Sequence, residues 1–326
     1  MTVDEPARAA AQAALDAKTK PRASLGRLEE LAVQIAAIRG TPKPGRLEAA
    51  VVVAAADHGV AAEAVSAYPA EVTRQMLANF EAGGAAVCVL ARAAGARVHV
   101  VDVGVGRPTG NIARGPAMTR TEARRLLDEG ATSAAELDAD GVGIVALGEM
   151  GIANSTVAAA LASALLAVDA RRVCGRGTGV DDEGLARKVA VVRRAVTANP
   201  VDHDDPVAVL AALGGSELAF LCGLALGAAE RRMVVLLDGF ISSVAALVAA
   251  RLAPAAAEAM IAAHLSPEPG HRLVLDALGL EPVLDLHLRL GEGSGAALCL
   301  PLLDAALAVL DEMATFATAG VTDAGR

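Results

Sequence analysis

A chain of 326 residues is about the size at which a single core stops growing, so one large domain with a smaller companion is expected. Hydrophobic residues make up 54% but aromatics only 2%, so the core must be built largely from Ala and Val, which lets helices sit close to a sheet. A formal net charge of −9 argues against a nucleic-acid partner, which rewards Lys and Arg, although helix N-termini can still hold an anionic substrate locally.

The first residues read Thr2-Val3-Asp4-Glu5, acidic where a secretory signal would be basic and then apolar, so a cytoplasmic protein is expected. Two helices follow, one near residues 5–18 and one carrying Leu25, Leu28, Leu31, Ile35 and Ile38 at helical spacing. Thr41-Pro42-Lys43-Pro44-Gly45 reads as a linker. Beyond it, continuous apolar runs at 50–55, 98–103, 142–147, 233–237, 260–263 and 283–286, with a weak one at Val173, read as strands buried on both faces. Helical segments at 70–94, 154–167, 182–197, 216–229 and 241–252 lie between them. This alternation predicts an α/β fold with a mainly parallel, doubly wound sheet. The stretch 233–250 is interrupted by Asp238, Gly239, Ser242 and Ser243, so it reads as strand, turn and helix rather than a membrane span. A closing helix over 294–317 is expected to pack with the N-terminal helices. The expected division is an α/β domain at 49–288 and a smaller unit made of 1–48 and 289–326.

Cys88, Cys174, Cys222 and Cys299 are far apart and read as free, buried thiols in a reducing compartment. The six histidines show no metal-ligand spacing, so neither a metal nor a cofactor is expected.

In open parallel sheets ligands bind at the carboxyl ends of the strands, so the residues after each run are the candidates. Glu149 ends a run; it reads either as a loop carboxylate or as a site residue, with Asn154 or Ser155 capping the next helix. Gly175-Arg176-Gly177-Thr178-Gly179 before Asp181 reads either as a plain turn or as an anion site, and it lacks dinucleotide-binding spacing. Lys188 reads as a surface lysine on pattern alone, and Asp238 as either a site residue or the cap of a helix near 241. The segment Arg289-Leu290-Gly291-Glu292-Gly293-Ser294-Gly295 stands out: a carboxylate between glycines, just before a long apolar helix. Glu292 could complement the helix dipole while Ser294 caps, but that role needs no glycine on both sides.

At these residues the sequence resembles the nicotinate-nucleotide–dimethylbenzimidazole phosphoribosyltransferases. The resemblance runs through Ser24-Leu25-Gly26-Arg27-Leu28-Glu29, Ala56-Asp57-His58-Gly59-Val60, Val72-Thr73 with Gly83-Gly84, and Gly148-Glu149-Met150-Gly151-Ile152-Ala153-Asn154-Ser155-Thr156. It ends in Leu236-Leu237-Asp238-Gly239-Phe240 and the Arg289–Ala297 segment. It implies a Rossmann-like large domain, a small domain from both chain ends and a homodimer. It also implies transfer of a phosphoribosyl group from nicotinate mononucleotide to a benzimidazole base. By the same resemblance Glu292 matches the family's catalytic base, with Glu149 and Lys188 in support. Gly151, Gly177, Thr178, Gly179 and Ser266 fall where the family holds phosphate and ribose, and Tyr68, Met76 and Leu290 near the acceptor base. The sequence departs from the family at Lys20-Pro21-Arg22-Ala23-Ser24, where Pro-Gly often precedes Ser. Two rivals remain: a nicotinamide-dependent oxidoreductase on the same fold, and a non-catalytic mononucleotide sensor.

Overall fold

The computed structural model describes residues 3–322; Thr2 of the N-terminal reading and residues 323–326 of the closing segment lie outside them. The chain opens with α1 (Glu5–Asp16), capped by Asp4, whose carboxylate accepts from the Ala7 N–H, and α2 (Arg27–Arg39), which ends on Gly40 in the left-handed conformation. Next come β1 (Glu48–His58), α3 (Glu71–Glu81), α4 (Ala86–Ala93), β2 (Arg97–Thr109), α5 (Arg120–Ala139) and β3 (Val142–Met150). Then follow α6 (Asn154–Leu166), α7 (Asp182–Ala198), α8 (Pro206–Leu213), α9 (Ser216–Glu230), β4 (Val234–Leu237) and α10 (Phe240–Leu252). The chain continues through β5 (Met260–Ala262), α11 (Pro269–Leu278), α12 (Ser294–Glu312) and the short α13 (Phe316–Ala319).

The five strands form one sheet in the order β2-β1-β3-β4-β5, and every pairing is parallel. The winding direction reverses between β1 and β3, so the crevice outside their carboxyl ends is where such a sheet receives ligands. β1, β3, β4 and β5 are buried almost throughout, which explains their unbroken apolar runs.

Four expectations need correcting. The closing helix expected over 294–317 stops at Glu312, where Met313 turns extended, and α13 is a separate turn capped by Thr315. Val173 is buried but belongs to no strand; its N–H closes a tight turn on Ala170 O. The run 283–286 lies beside β5 and makes backbone bonds from Val283 and Leu284, yet only a single bridge, Leu284 to His264, forms there. Pro282 just before it has no N–H to extend the ladder. The expected helix over 70–94 is two helices, because Gly83 takes a positive φ of 71° between them.

The small-residue core works as composition requires. α5 and α9 touch backbone to backbone: a methyl on Gly130 would sit 2.0 Å from Phe220 O, and one on Gly223 2.0 Å from Leu127 O. The four cysteines are free and buried.

Helices from the two chain ends pack together, α12 against α2 and α1. Lys18 Nζ donates to Met313 O at 2.6 Å and the Thr19 N–H to Ala314 O at 3.0 Å. By length and composition α12 could cross a membrane, but it contains Pro301 and packs on α2, α4, β1 and β3 within the fold. The apolar stretch Glu71–Ala93 passes the same test only if α3 and α4 are read as one helix.

Candidate active site

Gly148 and Glu149 lie in the last residues of β3, and the segment 290–293 crosses directly over them. That crossing needs glycine: a methyl on Gly148 would sit 2.4 Å from Glu292 O, and one on Gly291 2.3 Å from Glu149 Oε1. Gly291, Glu292 and Gly293 all take positive φ, at 81°, 66° and 88°. A left-handed φ is uncommon for a side-chain-bearing residue and marks a position held by its surroundings. Glu292 is 6% exposed, and its Oε2 is buried with no hydrogen-bond partner.

Asp238 holds this loop from the end of β4. Its two carboxylate oxygens accept from the N–H groups of Gly293 at 3.2 Å and Ala296 at 3.0 Å. Asp238 therefore caps α12, not the helix beginning near residue 241; α10 starts from Gly239 with no side-chain cap. Ser294 does not cap either, since its hydroxyl donates to Gly291 O at 2.7 Å. Asn154 and Ser155 are likewise not caps: α6 begins after Ala153 in the left-handed conformation. The Asn154 amide donates to Glu149 instead, and Ser155 accepts from Lys188 Nζ at 2.9 Å.

Burial raises the Glu292 carboxyl above its ordinary value, and the charge of Asp238 adds to the rise, while the Val87 N–H in the first turn of α4 opposes it. Burial, then Asp238 and Glu217, push Glu149 up to about 8, against Asn154 and the Glu292 N–H. Glu217 itself lies beside His58 at the end of β1, Oε1 to Nε2 3.0 Å, both fully buried. The unfolded chain releases the Glu149 proton near 4.5 and the folded protein near 8, so folding stability should fall as pH rises between these values. Glu149→Gln should flatten that fall, read as denaturation midpoints across the window; an unchanged slope would contradict the burial argument.

Around these carboxylates is a cavity of about 270 Å³. Of the expected catalytic residues, Glu149 and Glu292 line it. Gly151, Gly177, Thr178 and Ser266 line it among the expected phosphate and ribose residues, and Tyr68 and Leu290 among those for the acceptor. Lys188 does not: it is fully buried behind the 175–179 turn and donates to Gly175 O at 3.1 Å as well as to Ser155. Burial lowers its pKa, partly countered by the charge of Glu268. Gly179 and Met76 also lie outside the lining, Met76 on α3.

A profile of the phosphoribosyltransferase family matches residues 1–321. The nicotinate-nucleotide–dimethylbenzimidazole phosphoribosyltransferase of Chloroflexus aggregans is 50% identical, with 98% of this chain and 95% of that one covered. The protein of the same name from Geobacter metallireducens is 49% identical, with 98% and 95% covered. The crystal structure of CobT from Thermus thermophilus matches with a TM-score of 0.93 at 48% identity, over 97% of this chain and 99% of that one. The chain belongs to this family of phosphoribosyltransferases.

Sequence reasoning gave no specific role to several residues in and around the crevice. His264 lines it from the end of β5, with Nε2 3.6 Å from Asp238 Oδ1. Ser266 is held by His271, whose Nδ1 accepts the Ser266 N–H at 2.9 Å. His271 must then carry its proton on Nε2 and donate it to Ser243 Oγ at 3.0 Å, and burial pushes its pKa down to about 3. Glu268 lines the crevice and accepts from the Gly177 N–H at 2.9 Å. Its place just after β5 was the available signal; its partner, 91 residues away, was not readable.

Proposed function

We propose that the protein transfers the phosphoribosyl group of nicotinate mononucleotide to 5,6-dimethylbenzimidazole, giving α-ribazole 5′-phosphate and nicotinate for the lower ligand of cobalamin. The observation that carries this reading is Glu292: a carboxylate fixed on a left-handed backbone at the crevice, with one oxygen lacking a partner. The donor's pyridinium nitrogen is already cationic, so nicotinate leaves without a general acid, and C1′ gains oxocarbenium character as that bond breaks. One ring nitrogen of the acceptor attacks C1′ with its lone pair. The other nitrogen becomes an acidic N–H, whose proton Glu292 takes. A base poised nearer the working pH serves this best, and burial moves Glu292 in that direction.

Phosphate and ribose fit against Gly151, Ser266 and the Gly177–Gly179 turn, and the acceptor ring between Tyr68 and Leu290. This is supported by the lining of one cavity by residues from these segments. Lys188 acts through Ser155 and the turn rather than by touching substrate, in keeping with its burial. The helices of both chain ends form the smaller unit, the protein is cytoplasmic, and it works as a homodimer; sedimentation at micromolar concentration checks the last. The exposed Val89 and Leu302, on the packed helices α4 and α12, support a partnered face.

The test is to incubate the purified protein with nicotinate mononucleotide and a panel of benzimidazoles. Nicotinate should be released only when both substrates are present, matched one for one by ribosylated base. Binding of the mononucleotide with no release of its nicotinate in the presence of any base would favour a sensor and overturn the assignment.

A further inference from the structure

The turn proposed above for the donor's phosphate already holds an anion. The Gly177 N–H, on a backbone at φ 50°, donates to Glu268 Oε1 at 2.9 Å. The carboxylate is pressed against the turn so closely that a methyl on Gly175 would sit 2.2 Å from Oε2. Oε2 is buried and has no hydrogen-bond partner. Behind the same turn lies the Lys188 ammonium, fully buried, whose hydrogen bonds go to neutral oxygens, Ser155 Oγ and Gly175 O.

Glu268 also immediately precedes α11, where a carboxylate would ordinarily cap its own helix. It makes no such capping bond. Its charge is directed instead at the Gly177 N–H of a glycine-rich turn, a backbone donor of the kind that binds anions.

We propose that Glu268 is a resident anion of this turn, one that the donor's phosphate must displace from the Gly177 N–H. Two anions brought onto one donor in a buried crevice repel each other strongly. Only a group with the charge and acceptor strength of a phosphate competes for that position; the free nucleoside, lacking the phosphate, leaves Glu268 in place. Glu268 therefore weakens binding of phosphate-bearing ligands and leaves that of ligands without a phosphate nearly unchanged. This rests on the placement of phosphate at the turn given above.

The measurement is calorimetric titration of the full-length protein and of Glu268→Gln and Glu268→Ala. The probes are inorganic phosphate, nicotinate mononucleotide and nicotinate riboside. Both variants should bind inorganic phosphate and the mononucleotide about tenfold more tightly, the scale of one charge-assisted hydrogen bond. Affinity for the riboside should change far less. If Glu268 only anchors the turn, Gln keeps the Gly177 bond and the parent affinity while Ala weakens phosphate binding; that pattern overturns the proposal. So does the lack of phosphate binding by any of the three proteins. If phosphate binding tightens as expected but the mononucleotide binds none of them, the donor assignment fails and the resident anion stands.

Discussion

Replacing Glu292 with Gln should lower turnover by roughly 10²–10⁴-fold, the usual worth of a positioned proton acceptor. The fold should survive, because Gln has the same shape and meets the same backbone demand at φ 66°. Stability gives the sharper contrast. Burial and Asp238 make the ionised Glu292 carboxyl costly to hold in the folded state. A neutral amide removes that cost, so the melting temperature near neutral pH should hold or rise as activity collapses. If the carboxylate served only a helix dipole, the variant would lose about 0.3–1 kcal/mol of stability and keep its turnover. Melting temperature and single-turnover rate on one preparation separate the two. A well-folded Glu292→Gln protein with parental turnover would remove Glu292 from the chemistry.

The second large effect is expected at Gly148, a residue that never contacts substrate in the proposed arrangement. The three nearest atoms a methyl there would meet are all backbone: Glu292 O at 2.4 Å, Glu292 C at 2.8 Å and Gly293 N at 3.1 Å. No side chain can swing away, so Gly148→Ala must lift the 290–293 segment off the sheet. A displacement of about 1 Å in a catalytic group costs on the order of 10²-fold in rate. Stability should fall as well, by about 1–3 kcal/mol, as in other overpacked cores. Gly143 on the same strand supplies the control. The three nearest atoms a methyl there would meet all belong to the flexible Leu47 side chain, the closest 3.0 Å away. Gly143→Ala should cost some stability and leave turnover near the parental level. Equal rate losses in both variants would mean that β3 disturbances in general, rather than the seat of Glu292, limit turnover.

Much of the architecture was legible because buried parallel strands leave unbroken apolar runs, and four of the five strands did so. β2 was read too short, because it lies at the sheet edge and its later residues, Arg107 and Thr109 among them, carry no apolar signal. The Glu292 loop was legible because glycines flanking a carboxylate serve no local purpose. Lys188 was misjudged because its helix offers no sign of what covers it; Ser155 and Gly175 approach from segments 33 and 13 residues away. Asp238 shows the same limit. A carboxylate beside the start of one helix looks like that helix's cap, and nothing local reveals that the amides it serves lie 55 and 58 residues further on.

That long reach has a consequence for how the molecule is born. A ribosome delivers all five strands before it delivers Glu292, so a nascent sheet carries Glu149 and Asp238 with their partners in the 291–296 segment still unmade. Until then Asp238 lacks its two backbone partners, Glu149 lacks the Glu292 N–H that opposes its raised pKa, and the crevice stays open to water. Docking of the 291–296 segment ends that exposure and completes the site in one event. The enzyme therefore gains its chemistry and its final stability together, and a half-made chain has neither.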